Sequence, residues 1–568
     1  MISFLERARI RSLTVYAVIA TVLVGTAFVA GAGLTVKDQF PVPSIGRKVV
    51  RLIEGPPKEA GREIETTLVG LRIDSTLHAP PAAQPQGGGL TSFGHDVLVV
   101  NNDGVILVSR GDALSRASFA APNNGLKEYL AAADRLEAQG YRFYRNRLRY
   151  NDIAYVSDGD RHALLVSFIE WHNDRLCYTN TVAIGDLPAG PSTLPSLPRN
   201  LQWRTLFRTT PCLPLKRESA ALEGHMAGGK MVDLGSGKIG YTSGDFHWDG
   251  ATGPIHPSRD SKVPLAHDPA TDYGKVLVID WRSGAKTTLS SGNRNMQGIA
   301  ATSDGRIWTV EHGPRGGDEL NLNRPGQNNG WPLRTYGTQY NLLPHPNAEP
   351  FGRHDGFAAP AFAWVPSIGV SGLTVIRGFD PAWDGDLLAA SLREGSLYRI
   401  RIEGDRGVYS EKIPIGRRIR DVEQHTDGRI VLWTDDDRLV FISRQRFGLG
   451  YEAAILAINE SALSGDSKRN LREAIRACAE CHSFSPGVNA AAPTLANLIG
   501  RQIGRTGFAG QSEALSAVGG VWTKERLDAF LRDPSSFAKG TSMPNPQLPP
   551  ATRTDMVDLF NRLSRRAE

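Results

Sequence analysis

The sequence predicts a multidomain protein, with an all-β propeller first and a small all-α domain after it. Two observations carry this prediction. Short apolar strands joined by D-G or S-G turns recur between Ser92 and Asp437, and after Arg444 the composition becomes helical and rich in Ala. The chain of 568 residues is too long for one ordinary hydrophobic core, so two or more domains are expected.

The repeated turns favour a propeller over other all-β folds. They lie at Asp103-Gly104, Asp158-Gly159, Ser236-Gly237, Asp304-Gly305, Asp384-Gly385 and Asp427-Gly428. A D-G pair between β-rich runs is the strongest short-range hairpin signal. About six such hairpins, roughly 40 to 80 residues apart, indicate radially repeated sheets with long insertions. A β-sandwich is the competing fold, but it would not need so many hairpins over roughly 380 residues.

The segments around these hairpins complete the predicted order. An extended strand is expected over 63–78 and an inserted amphipathic helix over 125–145. Further helices are expected over 451–476, 523–532 and 554–565. We therefore place the propeller at residues 60–445, a linker at 446–465 and the helical domain at 466–568.

The N-terminus predicts a membrane segment. Arg7, Arg9 and Arg11 precede an uncharged apolar run from Ser12 to Val36, and roughly 25 such residues suffice to span a bilayer as a helix. We favour an uncleaved transmembrane anchor at 1–36 followed by a stalk at 37–59. A cleaved signal peptide is the alternative, with Ala30-Gly31-Ala32 as its cleavage site. Because positive charge stays in the cytoplasm, the rest of the chain is expected on the periplasmic side of a bacterial inner membrane.

Charge and cysteine content limit the classes of function that the sequence allows. The net charge is +6 and the pI is near 9.1, with Arg spread along the chain, so a nucleic-acid groove is not expected. Two of the four cysteines, Cys177 and Cys212, lie in the large N-terminal part. They are either a disulfide of an oxidising compartment or free buried thiols, and sequence separation alone does not decide between the two.

The motif Cys478-Ala-Glu-Cys481-His482 predicts one covalently bound c-type haem. The two thiols of C-x-x-C-H bond to the haem vinyl groups, and the following histidine supplies the proximal iron ligand. A zinc site would need a second ligand pair, and no other Cys lies within roughly two hundred residues. Met543, in a Pro-flanked and non-helical segment, is the expected second axial ligand. Redox activity is therefore predicted for the C-terminal domain.

A second site is predicted in the propeller. The loop from Glu311 to Asn321 is rich in Gly and contains Pro, and exposed carbonyls there suit a hard cation such as Ca²⁺. Other polar residues stand at expected strand ends in neighbouring blades, namely His225, Arg294, Asn295, Arg393, Arg418 and Arg420. Singly, each arginine suits a solvated surface. Converging on one end of a channel, they would repel one another unless an anion neutralised them, which indicates a polycarboxylate or phosphate ligand.

These motifs resemble those of a known family. The run from Glu311 to Asn321, with Arg294-Asn-Met-Gln-Gly298 before it and Pro366-Ser-Ile-Gly-Val-Ser-Gly372 and Arg418-Ile-Arg-Asp-Val422 after it, is similar to that of the PQQ-dependent aldose and soluble glucose dehydrogenases (the glucose/sorbosone dehydrogenase family). The resemblance implies a six-bladed propeller that oxidises a sugar or other hydroxyl compound at PQQ.

The resemblance also implies residue roles. His225 would be the general base that takes the substrate hydroxyl proton. Arg294, Asn295, Arg418 and Arg420 would contact the quinone, with Arg393 in place of the family's lysine. The carbonyls of Gly313 and Pro314 would bind Ca²⁺, and Asp318 would support their loop. Two further departures are Gly224, where an Asp often precedes the catalytic His, and the lack of a clear N-terminal counterpart of the family's quinone-contacting Gln.

The last roughly 100 residues, about one domain, resemble class I cytochromes c. We therefore expect a periplasmic quinohaemoprotein that oxidises a sugar or alcohol and passes electrons through its haem to an acceptor protein or a respiratory chain. One rival is an electron-transfer cytochrome with a non-catalytic ligand- or partner-binding propeller. The other is a structural propeller with no ligand in its channel.

Overall fold

The structure is a computed structural model that describes residues 62–80, 82, 86–111, 113–191, 197–445, 449–479, 481–484, 489–508 and 510–565. The predicted anchor at 1–36 and stalk at 37–59 lie outside these residues. Over the described part of the chain, no helix combines the length and apolar character needed to cross a membrane.

Six antiparallel sheets of four or five strands form the large domain, so the predicted six-bladed propeller is confirmed. The first blade consists of β3 Gly89–Phe93, β4 Asp96–Val100, β5 Ile106–Arg110 and β6 Ala113–Arg116. The second consists of β7 Tyr150–Asp158, β8 Arg161–His172, β9 Cys177–Leu187, β10 Trp203–Arg208 and β11 Leu213–Pro214. The third consists of β12 Gly228–Gly235, β13 Lys238–Ser243, β14 Lys275–Asp280 and β15 Lys286–Ser291, and β19 Gln327–Asn328 pairs with β15 in parallel.

The other three blades continue the same order. The fourth blade consists of β16 Met296–Ala301, β17 Ile307–Glu311, β18 Asp318–Asn323 and β20 Phe362–Trp364. The fifth consists of β21 Val370–Val375, β22 Leu387–Ser391, β23 Ser396–Glu403 and β24 Arg406–Pro414. The sixth consists of β25 Ile419–Gln424, β26 Ile430–Thr434, β27 Arg438–Gln445, β2 Gly70–His78 and β1 Glu63–Glu65.

The first and last parts of the propeller sequence share one blade. Strand β2 pairs antiparallel with β27, with Ile73 opposite Ile442 and Leu77 opposite Leu439. The first long strand therefore completes the sixth blade and closes the ring. The predicted strand over 63–78 is present as the two strands β1 and β2.

The innermost strands of the blades surround a central channel. Neighbours in this ring pack in the order β3, β7, β12, β16, β21 and β25, and β25 packs on β3 again. Five of the six predicted turns join an innermost strand to the next strand of its blade, and Asp103-Gly104 instead joins β4 to β5. In the turn between β16 and β17, Gly305 has φ +83°, a left-handed conformation that favours glycine.

Apolar side chains fill the spaces within and between blades. The largest fully buried ones include Trp281, Trp308, Trp383 and Trp433, one in each of the last four blades. The helix α1 Leu126–Glu137, inside the predicted insertion, buries Tyr129, Ala132, Ala133 and Leu136. Cys177 and Cys212 form a disulfide between β9 and the segment before β11. The sequence left a disulfide and free thiols as alternatives for these two cysteines, and the structure has the disulfide.

The C-terminal part is helical. Its helices are α2 Leu449–Asn459, α3 Gly465–Ala479, α4 Glu513–Val518, α5 Lys524–Arg532, α6 Pro534–Phe537 and α7 Pro550–Arg565. The segment expected as a linker at 446–465 differs from the prediction, because α2 lies inside it. Ala454 and Ile458 of α2 are fully buried in one cluster with Leu559 and Phe560 of α7. This helix is therefore part of the helical domain's core.

Candidate functional site

A shallow depression lies at the end of the channel where the innermost strands begin, and we call it the site end. Its walls include Arg149, His225, Lys230, Gln297 and Arg420, together with the glycines at 87, 88, 224 and 228. The enclosed volume is only about 10 Å³. A ligand would therefore lie across the open depression, with its underside on these side chains.

His225 has an acidic partner, but not at the position expected from the sequence. The side chain follows the turn at Glu223, within a short 3₁₀ helix over Gly224–Met226. Its Nδ1 lies 3.2 Å from Oε2 of Glu223. A Cβ on Gly224 would lie 1.7 Å from the carbonyl oxygen of Arg147, so an Asp cannot stand there in this chain. Glu223 supplies the carboxylate from one residue earlier.

The surroundings of His225 keep its imidazole neutral. Burial lowers the pKa of His225 to about 4, and Arg147 and Arg149 add to the lowering while Glu223 opposes it. With Nδ1 facing a carboxylate, the proton of the neutral ring is assigned to Nδ1. Nε2 then has the free lone pair, which is the state that a general base requires.

His247 is a second histidine of the site that the sequence reasoning missed. Its ring makes an edge-to-face contact with His225, with centroids 5.3 Å apart, and its Nε2 lies 3.1 Å from Nη2 of Arg294. Phe246 and His247 both have left-handed backbone conformations, with φ +52° and +59°. Strained non-glycine residues of this kind cluster at functional sites. The residue pattern Gly-Asp-Phe-His after an apolar strand was the available signal.

Arg294 and Asn295 lie in the site as predicted and are well held. Arg294 donates from Nη1 to the carbonyls of His312 (3.1 Å) and Gly313 (3.0 Å), and its guanidinium lies over the Trp331 ring. The side chain of Asn295 donates to the carbonyl of His225 at 3.2 Å and accepts from the backbone N–H of Gly228 at 3.1 Å. Asn295 therefore fixes the backbone that carries the base.

The loop predicted to bind Ca²⁺ is held by Asp318. This fully buried carboxylate accepts hydrogen bonds from the backbone N–H groups of Gly313, Ile368, Gly369 and Val370, at 3.1, 3.0, 2.6 and 3.3 Å. Its role as a loop support follows from these contacts. The Gly313 carbonyl already accepts from Arg294. Calcium binding by Gly313, Pro314 and Asp318 stays a prediction.

The remaining predicted arginines differ in exposure. Arg418 and Arg420 share the carboxylate of Asp435, with Nε–O distances of 2.9 and 2.8 Å, and only Arg420 is buried. Arg393 is about half exposed and lies 3.7 Å from Glu394. The guanidinium of Arg149, which the sequence reasoning did not select, lines the depression beside Arg420. Of these arginines, Arg149 and Arg420 line the depression.

Three side chains here could also bind a metal by their spacing. Ligand atoms of Glu223, His225 and His247 lie within 4.8 Å of one another. However, Arg294 contacts His247 and Arg147 lies 4.0 Å from Glu223. Two guanidinium groups next to these ligands oppose a further cation, so the trio serves proton transfer better than metal binding.

The helical domain has its own cavity, of about 330 Å³. Cys478, Cys481, His482 and Met543 all line it, and the rest of the lining is mainly apolar, including Leu498, Trp522, Leu527, Phe530 and Phe560. Both cysteines are free thiols. His482 Nδ1 lies 2.6 Å from the carbonyl oxygen of Pro493, so Nδ1 donates and Nε2 is left as a ligand atom. This set of donors in an apolar cavity fits a haem.

Comparison with known proteins agrees with the propeller geometry. Residues 222–441 match the family model Glucose / Sorbosone dehydrogenase. This part of the propeller is therefore similar to that family. The match begins just before His225 and ends in β27, so it contains every propeller residue predicted for the site. The chain is also 31% identical over 243 residues to Aldose sugar dehydrogenase YliI of Escherichia coli, covering 41% of this chain and 62% of that protein.

Two further likenesses concern the fold and the helical domain. The soluble Aldose sugar dehydrogenase (Asd) of Escherichia coli, in its apo-form, aligns with a TM-score of 0.50 at 23% identity, over 66% of this chain and 99% of that one. The chain is also 44% identical over 73 residues to a Cytochrome c homolog of Rickettsia typhi, covering 13% of this chain and 42% of that protein. The chain thus spans less than two thirds of these curated relatives.

Proposed function

We propose that the protein is a quinohaemoprotein dehydrogenase. A sugar or other hydroxyl compound is oxidised at PQQ on the site end of the propeller, and the electrons leave through the haem of the helical domain to an external acceptor. The observation that carries this proposal is the His225–Glu223 pair among several arginines, in a chain that also has a haem-type cavity. The comparisons support a sugar-dehydrogenase domain and a cytochrome-like domain in one chain.

The propeller residues suit alcohol oxidation. Hydride loss from an alcohol carbon is slow while the hydroxyl proton remains, so a base near that proton is needed. Nε2 of His225 would take the proton, and the Glu223 carboxylate would stabilise the imidazolium formed. Arg420, Arg418, Arg294 and Asn295 would bind and orient the carboxylates and carbonyls of PQQ. When bound, PQQ supplies the electron-accepting chemistry that no side chain offers.

The helical domain suits electron transfer. Cys478 and Cys481 would attach the haem covalently, and His482 and Met543 would bind its iron. A bound haem exchanges single electrons with an outside partner, which is an acceptor protein or a respiratory chain. The apolar lining around these ligands excludes water and favours such exchange over reaction with oxygen species.

We also propose that the protein acts in the periplasm, attached to the inner membrane by its N-terminal segment. The apolar run from Ser12 to Val36 behind three arginines supports attachment. The Cys177–Cys212 disulfide supports an oxidising compartment, because disulfides are rare in the reducing cytosol. Covalent haem attachment to C-x-x-C-H belongs to the same side of the membrane.

A non-catalytic propeller remains the second candidate, and one observation favours it. The Gly313 carbonyl and both Asp318 oxygens are occupied by protein donors, so the predicted Ca²⁺ loop is committed to internal hydrogen bonds. The cytochrome alone would then transfer electrons, and the depression would bind a ligand or partner without chemistry.

The two candidates are separated by the haem absorption of the purified full-length protein. Oxidised protein is incubated with PQQ and CaCl₂, and aldoses and polyols are then added in turn. We expect the reduced-haem bands to rise with at least one substrate, and only when PQQ is present. A haem that dithionite reduces but no hydroxyl compound reduces would contradict the proposal and support the non-catalytic propeller.

A further inference from the structure

Arg149 is a buried cation in the wall of the depression. It precedes β7 directly, in the second blade, and lines the depression together with His225 and Arg420. Only 8% of the residue is exposed. Its Nε donates to the carbonyl of Asn146 at 3.4 Å, which is a long hydrogen bond. Across the described residues, no carboxylate forms an ion pair with it.

The charges around Arg149 do not balance it. Burial lowers its pKa to about 9, and the nearby Arg420 and Arg147 lower it further, while Asp435 is the one acidic group that acts in the opposite direction. Asp435 already accepts from both Arg418 and Arg420. Arg147 lies 4.0 Å from Glu223, which is the partner of the base. At neutral pH, Arg149 is therefore a charged guanidinium without a counter-ion of its own.

Such a group is costly unless something else binds to it. A buried charge without a partner is strongly unfavourable, whereas the same charge becomes favourable when an anion completes it. Guanidinium is also the side chain that best matches a carboxylate, because two parallel N–H donors meet its two oxygens. The position of Arg149, in the wall that also holds His225, places that anion in the site.

We propose that Arg149 is a cofactor-binding residue, whose guanidinium binds a carboxylate of the quinone. The inference rests on the proposed function, since it assumes that PQQ occupies the depression. It also explains one departure seen in the sequence. The N-terminal blades lack a clear counterpart of the quinone-contacting Gln of the resembled family, and Arg149 is a second-blade residue whose side chain lines the depression.

The test compares Arg149→Gln and Arg149→Lys with a matched control, Arg377→Gln. A separate cavity of about 780 Å³ lies at the opposite end of the channel from the site end, and Arg377 lines it. Arg377 donates to the carbonyl of Ala301, so its replacement removes the same charge outside the site. Binding of PQQ to each full-length apoprotein is measured by equilibrium dialysis at low and high salt. We expect a dissociation constant roughly 10- to 100-fold larger for Arg149→Gln. The dissociation constant of Arg149→Lys should lie between those of wild type and Arg149→Gln, because lysine keeps the charge but lacks the two parallel N–H donors of a guanidinium. Arg149→Gln should also weaken the dependence of PQQ binding on salt.

Thermal unfolding of the same proteins separates a binding role from a structural role. If the role of Arg149 is to bind an anion, Arg149→Gln leaves the apoprotein as stable as wild type or more stable, but reduces the rise in Tm caused by PQQ. A lower apoprotein Tm with an unchanged rise would overturn the inference. A second result would also overturn the inference, namely an Arg149→Gln variant with unchanged PQQ affinity and a larger KM for uronic acids but not for neutral aldoses. The anion bound by Arg149 would then belong to an acidic substrate.

The outcomes also distinguish this inference from the proposed function. If wild-type protein binds no PQQ under any condition, the proposed function fails. If wild type binds PQQ and Arg149→Gln binds it within a factor of about two, the function stands and only the assignment of Arg149 is wrong.

Discussion

Oε2 of Glu223 lies 3.2 Å from Nδ1 of His225, and both atoms are buried. Neither atom has another hydrogen-bond partner in the described chain. The same carboxylate oxygen faces both the imidazole and, at 4.0 Å, Nε of Arg147. It fixes which nitrogen carries the proton, and it stabilises the charge that the ring acquires when Nε2 accepts a proton from substrate.

Replacing Glu223 by Gln should slow substrate oxidation without preventing cofactor binding. The amide can still accept from Nδ1, so the ring orientation is kept, but the negative charge that raises the pKa of His225 is lost. The pKa of His225 then falls, and the acidic limb of the pH–rate profile moves to lower pH. We expect the plateau rate to drop by about 10-fold or more, because a weaker base takes the proton less readily. Stopped-flow haem reduction across a pH series measures both effects, and Glu223→Asp should restore part of the rate. An acidic limb that stays in place would mean that Glu223 does not set this pKa.

Replacing His225 by Ala should abolish nearly all substrate oxidation and leave PQQ affinity almost unchanged. The neutral imidazole is the base that we propose, and loss of a general base typically costs about 10²–10⁴-fold in rate. Haem reduction by substrate is followed in the PQQ-loaded variant, with dithionite as a control that the haem itself still works. A wild-type rate would assign proton removal to another group, for which His247 is the nearest candidate.

The fold could be predicted because its signals are local. A D-G turn between two apolar runs specifies a hairpin within about ten residues, and five of the six turns lie at the expected place in a blade. The expected haem ligands could be selected for the same reason, since C-x-x-C-H places three of them within one short motif. Their lining of one cavity with Met543 agrees with that prediction.

The site partners could not be predicted because they depend on contacts between blades. Glu223 replaces the expected Asp since the carbonyl of Arg147, from before the second blade, leaves no room for a side chain at Gly224. Arg149 reaches the depression, and His247 contacts His225, only once the propeller has closed. Helix α2 was assigned to a linker because its packing partner Phe560 is about a hundred residues away.

Replacing both Cys478 and Cys481 by Ala should give a protein without covalent haem. Both thiols line the cavity with His482, and their thioether bonds are the covalent attachment. A haem-stained denaturing gel gives the answer. The matched control is the double replacement of Cys177 and Cys212 by Ser, which removes two cysteines of the propeller disulfide and should keep the stain. Stain retained by the Cys478/Cys481 variant would refute c-type attachment.

Replacing Met543 by Ala should remove the weak absorption band of Met-to-iron ligation at the red end of the spectrum. It should also lower the reduction potential, because thioether ligation favours ferrous iron. Met556 lines the same cavity but lies fully buried on α7, so Met556→Leu is the matched control and should keep the band. Loss of the band in the control alone would make Met556 the ligand.

Replacing Asp318 by Asn should destabilise the propeller and loosen the loop that carries Gly313. The native carboxylate accepts four backbone hydrogen bonds, one from the loop and three from the start of the fifth blade. An amide has one oxygen, so donors on one side lose their partner and face an NH₂ group instead. Hydrogen bonds to a charged group are worth more than neutral ones, and unpaired buried donors add a desolvation cost. We expect a loss of about 2 to 4 kcal/mol in the free energy of unfolding.

Denaturant unfolding followed by Trp fluorescence reports on the propeller, and haem absorption reports separately on the helical domain, which should be unaffected. The control is Asp304→Asn, whose side chain is 52% exposed and pairs with Arg306 on the surface, where such a pair contributes less than ~1 kcal/mol. If both variants unfold at the wild-type denaturant concentration, Asp318 does not hold the loop, and its oxygens are then available for the cation that the sequence predicts.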